Sequence, residues 1–89
     1  MAYITCTSHL ESVGPCEPRY YEGDNLKVLL EKAKADFPRL QNYLLDDHGK
    51  LRKHVAVFID GDLQNKETAL DKPLIDTSEV YLMQALSGG

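Results

Sequence analysis

The chain has 89 residues, a formal net charge of −4, 43% hydrophobic and 27% charged residues, which is enough for one soluble domain. So short a chain buries only about 60–65% of its unfolded surface, which leaves no room for a deep catalytic cleft and favours a binding or carrier module over an enzyme. Its acidity repels phosphate backbones, and no apolar run approaches the roughly 20 residues of a bilayer span, so neither nucleic acid nor membrane is an expected partner.

Residues 2–10 read as a strand, with Ile4, Cys6, Ser8 and Leu10 on one face and Tyr3, Thr5, Thr7 and His9 on the other. Glu11-Ser12-Val13-Gly14-Pro15 reads as a turn, and residues 16–22 as a weaker strand. Pro18 cannot donate a ladder hydrogen bond, which suits an edge position. In such a hairpin Cys6 faces roughly position 19 rather than Cys16. A disulfide between the two is therefore geometrically awkward, and a reducing cytosol disfavours it further.

Gly23-Asp24-Asn25 is a helix start, with Asp24 or Asn25 able to cap free N–H groups. Leu26, Leu29, Leu30, Ala33 and Phe37 then form one apolar helical face, while Glu31, Lys32, Lys34 and Asp36 take the wet side. Pro38 ends or interrupts this helix. Leu40, Tyr43, Leu44 and Leu45 suggest a further short helical turn, closed by Asp46-Asp47-His48-Gly49.

Leu51 to Asp60 is the clearest strand, with Val55, Val57 and Ile59 on one side and His54, Ala56 and Phe58 on the other. Asp60-Gly61 is a hairpin turn signal. Residues 62–78 read as loop with a brief strand near Leu63, and Leu70 and Leu74-Ile75 are expected to fold back onto the core. Glu79 to Leu86 is the last strand, with Val80 and Leu82 opposite Tyr81 and Met83. A hairpin, a helix and further strands make an α+β layer, one mixed sheet with a helix across one face.

The chain ends Ser87-Gly88-Gly89. One reading is a frayed tail. Against it, the segment leaves directly from an apolar strand, and two residues without Cβ make a thin, extendable thread. Such a thread can enter a narrow channel and present its carboxylate to a partner's active site. Adenylation by an ATP-using partner would make that carboxylate an electrophile. A sulfur donor would then displace the adenylate to leave a thiocarboxylate.

The stretch Leu44-Leu45-Asp46-Asp47-His48-Gly49-Lys50-Leu51-Arg52-Lys53-His54-Val55-Ala56-Val57-Phe58-Ile59-Asp60-Gly61 resembles the middle of the MoaD/ThiS-type ubiquitin-like sulfur carriers, above all their CysO-like and QbsE-like subgroup. Leu70-Asp71-Lys72-Pro73-Leu74-Ile75-Asp76-Thr77-Ser78-Glu79-Val80 is similar to a second stretch of that family, and Gly23-Asp24-Asn25-Leu26 and Gly88-Gly89 fit as well. The likeness runs from about residue 23 to the end and is weak before it. Ala56 stands where the family often has Asn, Thr77-Ser78 where it has Gly-Asp, and Gln84-Ala85-Leu86-Ser87 replaces a Pro-containing approach.

The resemblance implies a β-grasp domain over residues 1–86. Its mixed sheet would have four to five strands with one main helix across it, the last strand lying centrally beside the first. Residues 87–89 would be a flexible tail. It also implies that Gly89 is the site of adenylation and thiocarboxylate formation, with Gly88 and Ser87 as the thread. The partners implied are an E1-like adenylating enzyme of MoeB/ThiF type that uses ATP, a sulfur donor, and a sulfur-accepting biosynthetic enzyme. The chain itself would bind no cofactor and would not be an enzyme. Two related roles use the same carboxylate: the small subunit of a molybdopterin synthase, and a protein-conjugation tag.

If Val55, Val57, Ile59, Val80 and Leu82 face the helix, then Phe58, Tyr81 and Met83 face away from it. An apolar and aromatic cluster on an open sheet marks a contact surface. These three residues, with Leu86 near the tail, are expected to dock the activating enzyme; the alternative is that the 62–78 loop covers them.

Metal binding is not expected, because His9, His48 and His54 share no ligand spacing with each other or with the cysteines. Asp46-Asp47 and Asp60/Asp62 sit at turn signals, where Asp serves the turn. The first residues, Met1-Ala2-Tyr3-Ile4-Thr5-Cys6, have no basic or apolar leader character, so cytoplasmic residence is the default expectation.

Overall fold

The alternation of Ala2, Ile4 and Cys6 with Tyr3 and Thr5 produces strand β1, Ala2–Cys6, whose even-numbered side chains are all buried. These residues belong to a computed structural model that describes residues 2–84, the side chain of His9 excepted. The expected strand over residues 2–10 is therefore cut short: Ser8–Leu10 is a 3-10 turn. Leu10 is buried all the same, because the turn carries it back over the sheet. The second strand, β2, is Arg19–Tyr21 rather than residues 16–22. It pairs antiparallel with β1 in the register Ala2–Tyr21, Tyr3–Tyr20 and Ile4–Arg19, so Cys6 does not face position 19. Instead the Cys6 N–H donates to the Pro15 carbonyl at 2.7 Å. Both cysteines are free thiols, Cys6 buried and Cys16 exposed.

Helix α1, Leu26–Ala33, begins where Asn25 Oδ1 accepts the Val28 N–H at 2.9 Å, so Asn25 rather than Asp24 is the cap. Its buried face is Leu26, Leu29, Leu30 and Ala33, and each large member contributes roughly 1.5–3 kcal/mol on burial. Pro38 does not merely stop this helix. It occupies the first turn of a second one, α2, Pro38–Leu44, where its missing N–H costs nothing. Leu40 and Leu44 of α2 are buried, and Phe37 packs against the core from the junction.

The third strand, β3, spans only Val55–Ile59. The expected start at Leu51 fails: Leu51 makes an isolated bridge to Leu45, and Lys53-His54 form a turn. Asp60 and Gly61 both have positive φ, 53° and 86°, the conformation of a tight two-residue hairpin into β4, Asp62–Leu63. A 3-10 turn, Ala69–Asp71, then places Ala69 and Leu74 in the core, whereas Ile75 stands 68% exposed, contrary to expectation. The Ile75 N–H donates to Ser78 Oγ at 2.9 Å and Ser78 N–H returns a bond to the Ile75 carbonyl at 3.0 Å, a small locked turn that leads into β5, Glu79–Gln84.

The sheet has five strands in the order β2-β1-β5-β3-β4. The last strand lies at its centre, parallel to β1 and antiparallel to β3. Val80 and Leu82 on β5 meet Ile4, Val55, Val57 and the α1 leucines in one core. The result is the expected α+β β-grasp layer, with α1 across one face and α2 as an additional helix.

Candidate functional site

The face of the sheet turned away from α1 is set by the period of two along three strands. Phe58 stands opposite Tyr81, Ala56 opposite Met83, and Phe58 opposite Leu63 on the edge strand. On the other side of β5, Thr5 neighbours Tyr81 and Tyr3 neighbours Glu79. Tyr3 and Tyr20 pair in turn, their ring centroids 5.1 Å apart. Tyr81 is 40% exposed, and Phe58 and Met83 are half-buried by their neighbours in the sheet.

Phe58, Tyr81 and Met83 line one shallow depression, together with Asp60, Gly61 and Glu79. The sequence alone brings together the first three; the two carboxylates it does not. Asp60 was legible only as a turn residue, and Glu79 only as a strand start. The hairpin at Asp60-Gly61 and the entry to β5 meet because the Asp60 N–H donates to the Glu79 carbonyl at 2.9 Å and the Glu79 N–H donates to Asp60 Oδ1 at 2.9 Å. Tyr3 also faces this corner. Its hydroxyl, hydrogen-bonded to the Glu79 carboxylate, has its pKa pushed up to about 12. Leu63, Tyr3 and Tyr20 were missed as members of the face; the tight turn after Ile59 was the signal that pairs Leu63 with Phe58.

The strand expected to run to Leu86 is described as far as Gln84. Leu86, Ser87, Gly88 and Gly89 lie outside the described residues. Gln84 follows Met83 on the same central strand, so the route to the tail starts from the most enclosed strand of the sheet.

The other polar groups are occupied by structure. Asp46 accepts the N–H groups of His48 at 2.8 Å and Lys50 at 3.0 Å, and these bonds, Lys50 first, lower its carboxyl pKa. His54 meets the edge of Tyr43 at 4.9 Å. Among the described residues no three His, Cys, Asp or Glu side chains gather in a group that could hold a metal ion. Nor is any helix among them long and apolar enough to cross a membrane.

Solved structures share the architecture. A chain in the BexX/CysO complex of Amycolatopsis orientalis superposes with a TM-score of 0.84 at 13% identity, covering 100% of both chains. CysO of Mycobacterium tuberculosis gives 0.82 at 17% identity over 97% of this chain and 100% of that one. The small archaeal modifier protein 1 of Haloferax volcanii gives 0.73 at 18% identity, covering 96% and 97%. No curated protein sequence matches. The model of the ThiS family matches residues 17–89. A β-grasp sheet with its last strand at the centre, and a family match that runs from the entry to β2 through Gly88-Gly89, together place this chain in the ThiS family of MoaD/ThiS-type ubiquitin-like sulfur carriers.

Proposed function

We propose that the chain carries sulfur as a thiocarboxylate on Gly89. An E1-like enzyme of MoeB/ThiF type spends ATP to adenylate the Gly89 carboxylate, a sulfur donor displaces AMP, and the thiocarboxylate gives its sulfur to a biosynthetic enzyme. The observation that carries this reading is the family match over residues 17–89, which takes in the Gly88-Gly89 pair as well as the domain. The fold supports it through position: β5 is held on both sides and delivers the chain toward its C-terminal end beside an open apolar face. Five residues follow Gln84, and a fully extended thread of that length reaches at most about 17 Å. That is enough to enter a channel while the domain stays outside. The proposed docking surface is Phe58, Tyr81 and Met83, extended by Leu86 toward the tail. The chemistry belongs to the partner, so the carrier needs no cofactor of its own and is not itself an enzyme.

The fold shared with an archaeal modifier protein favours one further reading, a conjugation tag joined to target lysines through the same carboxylate. Intact-mass spectrometry of the protein from its native host separates the two. A species in which one oxygen is exchanged for sulfur, localised to the C-terminal peptide, supports the carrier. A ladder of heavier protein adducts without that species supports the tag.

A further inference from the structure

We infer that the open sheet face fits a partner surface that places a lysine or arginine beside an apolar protrusion, the cation meeting Asp60 and Glu79 while the protrusion covers Phe58, Tyr81 and Met83. This deepens the activation proposed above by stating what the adenylating enzyme must present.

The depression has an apolar floor and a one-signed rim. Asp60 and Glu79 line it and no basic residue does. Among the described residues, no lysine or arginine lies within ion-pair distance of either carboxylate. The Asp60 N–H donates to the Glu79 carbonyl and the Glu79 N–H to Asp60 Oδ1, both at 2.9 Å, so the Asp60 carboxylate is fixed against the Glu79 main chain and the two acidic residues share one corner. The Tyr3 hydroxyl senses both: its raised pKa has the Glu79 hydrogen bond as the largest cause, with the charges of Glu79 and Asp60 among the rest.

Charge decides between the candidate occupants. A second copy docking through the same face would bring together two chains of net charge −4 each, and like charges brought together across an interface are costly. An anionic lipid surface or a nucleic acid is repelled for the same reason. A cationic protein surface is attracted, and a charge at the rim of an apolar contact governs encounter rate and salt dependence.

The corner also gives the docking a direction. Glu79 opens β5 and Gln84 ends it; five steps of strand place the acidic corner about 17 Å from the point where the route to the tail begins. A partner cation that meets the corner therefore sits about that far from the Gln84 end of β5.

The test is ATP–pyrophosphate exchange by the host's ThiF/MoeB-type adenylating enzyme, with this chain as the varied substrate. The variants are Glu79→Gln, and Asp60→Asn with Glu79→Gln; asparagine keeps an acceptor for the Glu79 N–H and tolerates positive φ. Glu67→Gln, on the opposite side of the domain, removes the same charge elsewhere. The expected result is a KM raised about threefold to tenfold in the double variant, with kcat held, a weaker dependence of KM on salt, and no change for Glu67→Gln. Equal KM and equal salt dependence in wild type and double variant overturn the inference while leaving carrier function intact. No exchange with the wild-type chain overturns the proposed function, and the inference with it.

Discussion

Phe58 and Tyr81 stand directly opposite each other on antiparallel β3 and β5, on the side of the sheet that α1 does not cover. Their inward neighbours Val57, Ile59, Val80 and Leu82 are buried in the core, so changing the outward pair tests binding with little effect on folding. Phe58→Asp is expected to weaken association with the adenylating enzyme by about 2 kcal/mol, roughly thirtyfold in Kd, as for a central interface aromatic. Titration calorimetry checks this, and unchanged affinity would remove Phe58 from the docking surface.

Deleting Gly89 should separate the carrier chemistry from the domain. The buried core is assembled from residues Ala2 through Leu82, so the truncated chain is expected to keep the wild-type melting temperature. It is expected to yield no thiocarboxylate with ATP, sulfur donor and adenylating enzyme. Sulfur incorporation by the truncated chain would contradict the assignment of Gly89.

Gly23 is tied to its place by the helix that follows. A β-carbon there would lie 2.8 Å from the Leu29 nitrogen and 3.0 Å from its Cα, and main-chain atoms cannot rotate aside. Gly23→Ala is expected to cost about 1–3 kcal/mol, a fall of at least about 4 °C in Tm for a domain this size. Thermal unfolding measures it. Asn25→Ala, which removes the cap on Val28, is expected to cost about 1 kcal/mol, and Asp24→Ala much less.

The two cysteines should differ in reactivity and in their effect at high pH. Burial, with a smaller contribution from Cys16, pushes the Cys6 thiol from 9.0 up to about 12. A folded pKa above the unfolded value means that the folded state holds the proton more tightly. The associated stability is complete below pH 9.0 and is lost as pH rises toward about 12. Cys6→Ala should flatten that part of the stability profile in urea titrations between those limits. In native protein, iodoacetamide should label exposed Cys16 and spare Cys6, as peptide mapping would show; equal labelling would mean that the β1 end opens freely.

Much of this architecture is written in local pattern. The alternation in Val55–Ile59, the apolar face begun at Leu26 and the Asp60-Gly61 turn are each short-range signals, and each took the expected form, except that the helix stops at Ala33 and Phe37, expected on its face, lies at the junction with α2. The errors fall where a hydrophobic pattern is compatible with two backbones. Leu10 is buried by a 3-10 turn as well as it would be by a strand. Leu51 is held by a bridge to Leu45, four residues before β3 begins. The exposure of Ile75 follows from the Ile75–Ser78 turn, and a serine hydroxyl closing a turn leaves no mark on hydropathy. The corner of Asp60, Glu79 and Tyr3 joins three distant parts of the chain: the antiparallel pairing of β3 with β5 sets Asp60 beside Glu79, and the parallel pairing of β1 with β5 adds Tyr3.

The pairing of β5 on both edges has a mechanical consequence. A partner that grips the C-terminal end and pulls transmits the load to β5, which is hydrogen-bonded along both edges, parallel to β1 and antiparallel to β3. Tension directed along the strand shears the rungs of both ladders together and does not peel them apart one at a time. The domain therefore resists as one block. A load applied past Gln84 is borne by the middle of the sheet, and the body does not unravel from that side.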